Sequence, residues 1–406
     1  MPIGFDLQMF DVVMIINLVL MGLIFTIPRW IAGLVIYLAV SGTLGVLRGT
    51  DTFVLFAKQF LGITISAIYF SIFFRHYRGR LDQVFLTYAK IAYWETVIAI
   101  GMYFCHYPNF VRLQGLFAEP MHYCILVLPA YYWYAYSYFT SGKNKTEFIV
   151  ISVGVCLADS SIGFVSIAFG LMLLLSRRRR LLILVPIIVA VFVGAAYTLS
   201  SDFRLRLTDT ATAAGALDVS GTNSSTYALI SNLIVTRQVM AQHPLIGNGI
   251  GSHALSHERY LADIPGIHEF INAGEDSLNA ADGDSLILRS LSELGLVGFS
   301  VILWFVFHFR VSGDGRRAAI SSSILVEFFL KLLRHGHYFQ PEQFFFIQIY
   351  IMNYRLAKQE RSILAGDFVS CPTSQARRLP RFGRLVGVMV AARRFRMEIR
   401  EKSVTS

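Results

Sequence analysis

Asp282-Gly283-Asp284-Ser285-Leu286-Ile287-Leu288-Arg289-Ser290-Leu291-Ser292-Glu293-Leu294-Gly295-Leu296-Val297-Gly298 leads from a polar turn with two carboxylates, past an arginine and a glutamate, into a hydrophobic helix. Polar chemistry is thereby set against an apolar layer. The turn closes a long polar excursion, residues 200–285, in which four basic residues face ten carboxylates, a surplus of six negative charges. The chain on either side is apolar. Hydrophobic residues make up 55% of the 406, charged residues 15%, and mean hydropathy is +0.55. These values exclude an ordinary soluble protein and indicate a polytopic membrane protein.

The formal charge of +10 does not point to nucleic acid. Lys and Arg gather at the ends of apolar runs and in the C-terminal tail, where anionic lipid is the usual partner. Cys105, Cys124, Cys156 and Cys371 have no metal-type spacing and predict no disulfide framework. Residues 1–8 carry Asp6 but no Lys or Arg, so the first apolar run is read as a retained span.

Runs long enough to cross a bilayer predict an all-α, polytopic integral membrane protein with about eleven transmembrane helices. They lie near 9–27, 31–47, 53–74, 84–104, 121–139, 147–158, 161–175, 181–199, 286–309, 319–333 and 343–356. The chain thus divides into 1–199 with eight spans, a large loop over 200–285, 286–356 with three spans, and a basic tail over 357–406. The positive-inside rule makes the connections at Arg75, Arg78 and Arg80, at Lys143 and Lys145, at residues 177–180, and at Arg310, Arg316 and Arg317 cytoplasmic. Between Lys145 and Arg177 the chain must therefore leave and return, which requires two short helices hinged at Asp159-Ser160-Ser161; the alternative is one helix of about thirty residues. The large loop and residues 333–341 then face outward.

Within the loop, residues 208–225 are rich in Thr, Ala, Gly and Ser and predict a flexible start. Helical spacing marks 227–242, His243-Pro244 ends it, and Gly247, Gly249 and Gly251 form a turn. In the tail, arginine pairs alternate with apolar residues over 381–400, as in a helix lying on the inner leaflet; a disordered tail is the other reading.

Three outer segments carry polar groups that packing does not explain. Arg112-Leu113-Gln114-Gly115-Leu116-Phe117-Ala118-Glu119-Pro120 holds an arginine and a glutamate that either pair to shape a site or leave Glu119 as a helix cap. Asp159-Ser160-Ser161 reads as a cap for the helix that follows. The third segment is the loop, with Arg237, Asp284, Arg289 and Glu293, joined by Arg334, His335 and His337 from the next outer turn. Ionisable residues at a membrane edge are costly to desolvate and mark function first. His253, His257 and His268 predict no metal site, because Pro265 and Gly266 indicate a loop. The Gly247-Asn248-Gly249-Ile250-Gly251 turn follows no strand and lacks the lysine of a phosphate loop, so no nucleotide cofactor is expected.

The run His243-Pro244-Leu245-Ile246-Gly247-Asn248-Gly249-Ile250-Gly251, followed by Asp284-Ser285 and Glu293-Leu294-Gly295-Leu296-Val297-Gly298, resembles the signature region of the O-antigen polymerase and ligase superfamily. Residues 112–120 are similar to the motif of Wzy-type polysaccharide polymerases. The likeness in topology covers nearly the whole chain from the third span to the eleventh. It implies a glycosyltransferase of the bacterial inner membrane, with its site on the periplasmic face, that joins polyprenyl-diphosphate-linked oligosaccharides without metal or cofactor. A flippase and a chain-length regulator are the partners it implies. Ligases of the superfamily carry a His where this chain has Asp284, which favours the polymerase over the ligase. Relatives often place an Arg early in the helix before His243, where this chain has Ser225, Thr226 and Tyr227, so Arg237 is expected to take over that role. A transporter or flippase without bond chemistry is the rival from another class.

Glycosyl transfer needs a base at the acceptor hydroxyl and countercharge for the departing diphosphate. Asp284 and Glu293 are the expected catalytic carboxylates, Asp284 as the base and Glu293 orienting arginines. Arg112, Arg237, Arg289 and Arg334 are the expected diphosphate ligands, since guanidinium grips phosphate oxygens in pairs. Glu119, His335, His337, Tyr338, Gly247 and Gly249 are expected to shape the site.

Overall fold

All regular structure among the described residues of this computed structural model is helical. Described are residues 9–20, 28–107, 111–117, 119–176, seven positions between 187 and 198, 201–338 and 341–365. The helices are α1 (Met9–Leu20), α2 (Arg29–Leu47), α3 (Phe53–His76), α4 (Leu81–Phe104), α5 (Pro120–Ser141), α6 (Lys145–Leu157) and α7 (Ser161–Ser176). After them come α8 (Ser201–Ala216), α9 (Ser224–Gln242), α10 (His253–Tyr260), α11 (His268–Ala273), α12 (Leu286–His308), α13 (Arg316–Arg334) and α14 (Pro341–Ala365). Of these, α2, α3 and α12 are long and apolar enough to cross a membrane. The expected span at 181–199 falls almost wholly outside the described residues, as does the tail beyond 365. One compact unit comprises Met1–Arg355; a second, Leu356–Ser406, begins within α14.

Helix α5 is the axis of the first unit and packs on α4, α6, α7 and α13. Every residue from Tyr123 to Ala135 except Leu126 is buried, as befits a helix that is apolar on all sides. Pro120 starts it, because the missing N–H is one no helix can satisfy at that position. Gly142 ends it in the left-handed conformation (φ 66°). Two short helices, α6 and α7, follow where the charge rule requires them, joined through Asp159 at φ 41°, and both lie against α5.

Helix α13 is buried between α5, α7 and α12. It contains the fully buried Lys331, whose Nζ lies 3.0 Å from Glu342 Oε1 on α14 and 3.6 Å from Glu327. An unpaired charge there would cost several kcal/mol, so these carboxylates fix the end of α13 from which Arg334 projects.

The polar excursion is more ordered than its composition suggests. The flexible start expected over 208–225 is corrected for its first part: α8 is helical to Ala216, because its alanines favour helix and Phe203 and Ala213 are buried. Helix α9 starts at Asn223, whose Oδ1 accepts the N–H groups of Ser225 and Thr226, both at 3.1 Å. The loop expected around His253 and His257 is also corrected. These residues lie in α10, and Pro265 and Gly266 fall beyond its end. Tyr227, Ile230, Val235, Tyr260 and Phe270 bind these pieces into a small core of their own.

Helix α12 is interrupted at Gly295 (φ 65°, ψ −166°). Before the break, Ser292 O and Glu293 O accept the N–H groups of Asn248 (2.8 Å) and Gly249 (2.9 Å). Beyond it, Leu296 N and Val297 N donate to Pro244 O (2.9 Å) and Leu245 O (3.0 Å). The turn over 243–249 therefore completes the helix from outside, where each orphaned group in apolar surroundings would cost several kcal/mol. Gly247 (φ 61°) can approach this closely only without a side chain: a Cβ would lie 2.6 Å from the carbonyl carbon of Glu293. The far side of the turn rests on the connection between α2 and α3, with Thr50 Oγ1 donating to Asn248 O at 2.7 Å.

Gly247→Ala is expected to lower stability by about 2–4 kcal/mol, from the left-handed backbone and the overlap together. Gly33→Ala, on α2 with open space around the added methyl, should leave the melting temperature of the detergent-solubilised protein nearly unchanged. Equal melting temperatures for the two variants would contradict the interlock.

Candidate functional site

The turn ahead of α12 presents Asp284 in the left-handed region (φ 56°), which short polar side chains tolerate. Its N–H donates to Asp282 Oδ1 at 3.1 Å. The carboxylate is buried and both oxygens are engaged: Oδ1 accepts from Asn279 Nδ2 at 2.8 Å, and Oδ2 is ion-paired with Arg334 Nη1. Arg334 leaves the last turn of α13 and reaches Ser225 in the first turn of α9, with Nη2 donating to Ser225 Oγ and both terminal nitrogens 3.4 Å from Ser225 O. Burial pushes the Asp284 carboxyl up to about 6, against the opposing pull of Arg334 and Asn279, with Asp282 and Glu119 adding to the push.

A second charged layer lies behind this pair. Arg289 is 1% exposed and Glu293 0%, with Nε 3.0 Å from Glu293 Oε1. Arg289 Nη1 donates to Gly336 O at 3.0 Å, and its guanidinium carbon stands 4.5 Å from the centre of the Tyr338 ring. Arg289 Nη2 has no hydrogen-bond partner among the described residues. Glu293 Oε1 also accepts the N–H of His253 at 3.4 Å. The His253 ring is held between Ser292 Oγ (2.6 Å) and Asn232 Oδ1 (2.8 Å). Burial, reinforced by the charge of Arg289, pushes His253 down to about 3, so this ring is neutral at physiological pH.

The turn after α13 closes over both layers. His337 Nε2 lies 3.3 Å from Asp282 Oδ2, and the His335 ring stands 5.1 Å from His122 on α5 and 5.2 Å from His337. Glu119, at the start of α5, is exposed and makes no side-chain cap bond, so the cap reading gives way to a carboxylate whose charge is felt at Asp284.

The structure thus gathers Asp284, Arg334, Arg289, Glu293, His335, His337, Tyr338 and Glu119 at one end of the bundle. Gly247 and Gly249 support the cluster from the turn that mends α12. Two of the expected arginines make no contact with this cluster among the described residues. Arg112 Nη1 donates to Asp159 O at 3.5 Å, at the joint of α6 and α7, and its segment is pinned there by Leu113 N on Leu157 O (3.0 Å). Arg237 is exposed on α9, twelve residues past Ser225, or about 18 Å along the helix axis. Sequence reasoning missed Ser225, Asn232, His253, Asn279, Asp282 and His122 as members of the cluster. Asp282 carried a signal as the second carboxylate of the Asp282-Gly283-Asp284 turn, and Ser225 as the position where relatives place an Arg.

Glu293→Ala is expected to destabilise the protein by about 3–5 kcal/mol, because it strands the Arg289 charge in the interior. The double substitution Arg289→Met with Glu293→Leu should cost clearly less than the two single replacements summed. Additive losses in thermal unfolding would show that the two groups do not act as a pair. No family model matches the chain, and no match was found among curated proteins or solved structures, so the chemistry open to the site follows from its own geometry.

Proposed function

We propose that this chain is a glycosyltransferase that polymerises polyprenyl-diphosphate-linked oligosaccharide repeat units, acting at the periplasmic face of a bacterial inner membrane in a protein of about eleven spans. The observation that carries this reading is the contact of Asp284 with Arg334 at the head of an apolar helix, backed by a second guanidinium, Arg289, with a donor to spare. A carboxylate and two arginines beside lipid match the needs of a reaction whose acceptor loses a proton while its leaving group gains negative charge.

In the proposed step, Asp284 Oδ2 takes the proton of the acceptor hydroxyl. The hydroxyl oxygen bonds to the anomeric carbon of the donor sugar. The bond from that carbon to the diphosphate oxygen breaks, and the lipid diphosphate departs with the electron pair, its charge met by Arg334. Arg289, held by Glu293 and Tyr338, adds a fixed positive potential behind the site. The His337 side chain, about two-fifths exposed beside Asp282, lines the mouth where sugar would enter. A flippase that delivers repeat units and a chain-length regulator fit as partners. The break in α12 is also a transporter trait, but two carbonyls and two N–H groups at the break are already bonded to the turn over 243–249.

Purified protein supplied with one lipid-linked repeat unit should produce a ladder of polymer, and Asp284→Asn should abolish it while lipid-linked units still reach the periplasm in cells. Transfer of a single glycan to a lipid core would identify a ligase instead, and normal polymer from the Asp284→Asn strain would remove Asp284 as the base. The pH dependence has a fixed sign. The base must be unprotonated, so kcat/KM should rise as pH passes upward through about 6, the value to which burial raises Asp284. A flat profile between pH 5 and 7 would contradict this assignment.

A further inference from the structure

We propose that Asp284 and Ser225 occupy Arg334 as stand-ins for a diphosphate, so that the lipid diphosphate must displace Asp284 from the guanidinium before that carboxylate is free to serve as the base. This rests on the function proposed above and adds an order of events to it.

The geometry argues for exchange. Three oxygens surround the Arg334 guanidinium: Asp284 Oδ2, Ser225 Oγ and Ser225 O. A carboxylate and a hydroxyl placed around one planar cation reproduce the spread of oxygens that a phosphate group offers. The Arg334 side chain nevertheless remains about one-fifth exposed, whereas Asp284 is 2% exposed. A ligand can therefore reach the cation but not, without movement, the carboxylate. As it stands, each Asp284 oxygen already accepts a donor, Asn279 on one and Arg334 on the other, which lowers the carboxylate's basicity toward a hydroxyl, and its burial keeps a hydroxyl away.

A diphosphate brings more charge and more oxygens than the single carboxylate it replaces, and so wins the guanidinium. Asn279 still holds Oδ1, which keeps the freed carboxylate beside the site, while Oδ2 becomes available. The arrangement withholds the base until a donor is bound. It also selects for the ligand: a neutral sugar or a weakly charged head group lacks the charge to displace Asp284.

The test is binding of farnesyl diphosphate, a short polyprenyl diphosphate, to the full-length protein in detergent, measured by calorimetry for the wild type, Asp284→Asn and Arg334→Gln. Removing the internal competitor should tighten binding at least about tenfold in Asp284→Asn, even though that variant makes no polymer. Arg334→Gln should weaken binding by a similar factor. If Asp284→Asn binds equally or more weakly while Arg334→Gln loses affinity, the exchange is overturned and the diphosphate site stands. If the wild type does not bind, or if Arg334→Gln binds as the wild type does, Arg334 is not the receptor; the exchange then falls, and the polymer ladder alone decides the wider reading. Should Asp284→Asn fail to fold, Ser225→Ala removes another of the occupying oxygens and should tighten binding by a smaller factor, with unchanged or weaker binding overturning the exchange.

Discussion

A helix cannot stop inside an apolar layer unless something else bonds to its free backbone groups, and in this protein that requirement ties the polar excursion to the bundle. The two carbonyls ahead of Gly295 and the two N–H groups beyond it are all satisfied by the turn over 243–249. That turn ends α9, and α9 brings Ser225 to Arg334. The head of α12 presents Asp284 to the same arginine. The backbone interlock thus fixes two of the three segments that meet at Arg334.

The third segment is fixed by charge. Lys331, one turn before Arg334, is buried and paired with Glu342, which binds α13 to α14 on either side of the turn carrying His335 and His337. Arg289 then fastens that turn to α12 through Gly336 O. Buried ion pairs are costly to assemble and weak as net stabilisers, but breaking one is severe. Their effect here is placement: guanidinium and carboxylate groups are held in register by partners that cannot let go cheaply. One contact differs in kind, that between Arg334 and Asp284, because the Arg334 side chain is partly exposed and an anion from outside can compete for it.

Much of the architecture was legible in the sequence, since apolar runs with clear ends announce helices: Pro120 opens α5, Gly142 closes it, and the basic clusters around 145 and 177 demand two helices in place of one. The excursion was read less well. The second half of α8, from Thr208, reads as flexible because its Thr and Gly content hides the burial of Ala213, which is a tertiary effect. Helix α10 looked like a loop because Pro265 and Gly266, which lie beyond its end, coloured the reading of His253 and His257. The break at Gly295 left no trace in the hydrophobic pattern, which continues through it, although Gly247, Gly249 and Gly295 were all in view as a motif. Site membership was partly legible from charge at the edges of apolar runs, which picked out Asp284, Arg289, Glu293 and Arg334. Their pairing was not, because Asp284 and Arg334 are fifty residues apart and nothing local encodes their contact. Arg237 shows the same limit. It was expected to replace a guanidinium missing from the first turn of α9, whereas the cation that reaches Ser225 there comes from α13, a distant part of the chain.

The central claim is that this pair receives the phosphates of a lipid-linked donor. It is tested most directly by an experimental structure of the protein in a lipid nanodisc with a bound polyprenyl diphosphate. The account predicts phosphate oxygens within hydrogen-bond distance of Arg334, between Ser225 and the turn over 335–338, with Asp284 released from the guanidinium. Diphosphate bound elsewhere, with Asp284 still paired to Arg334, would contradict it.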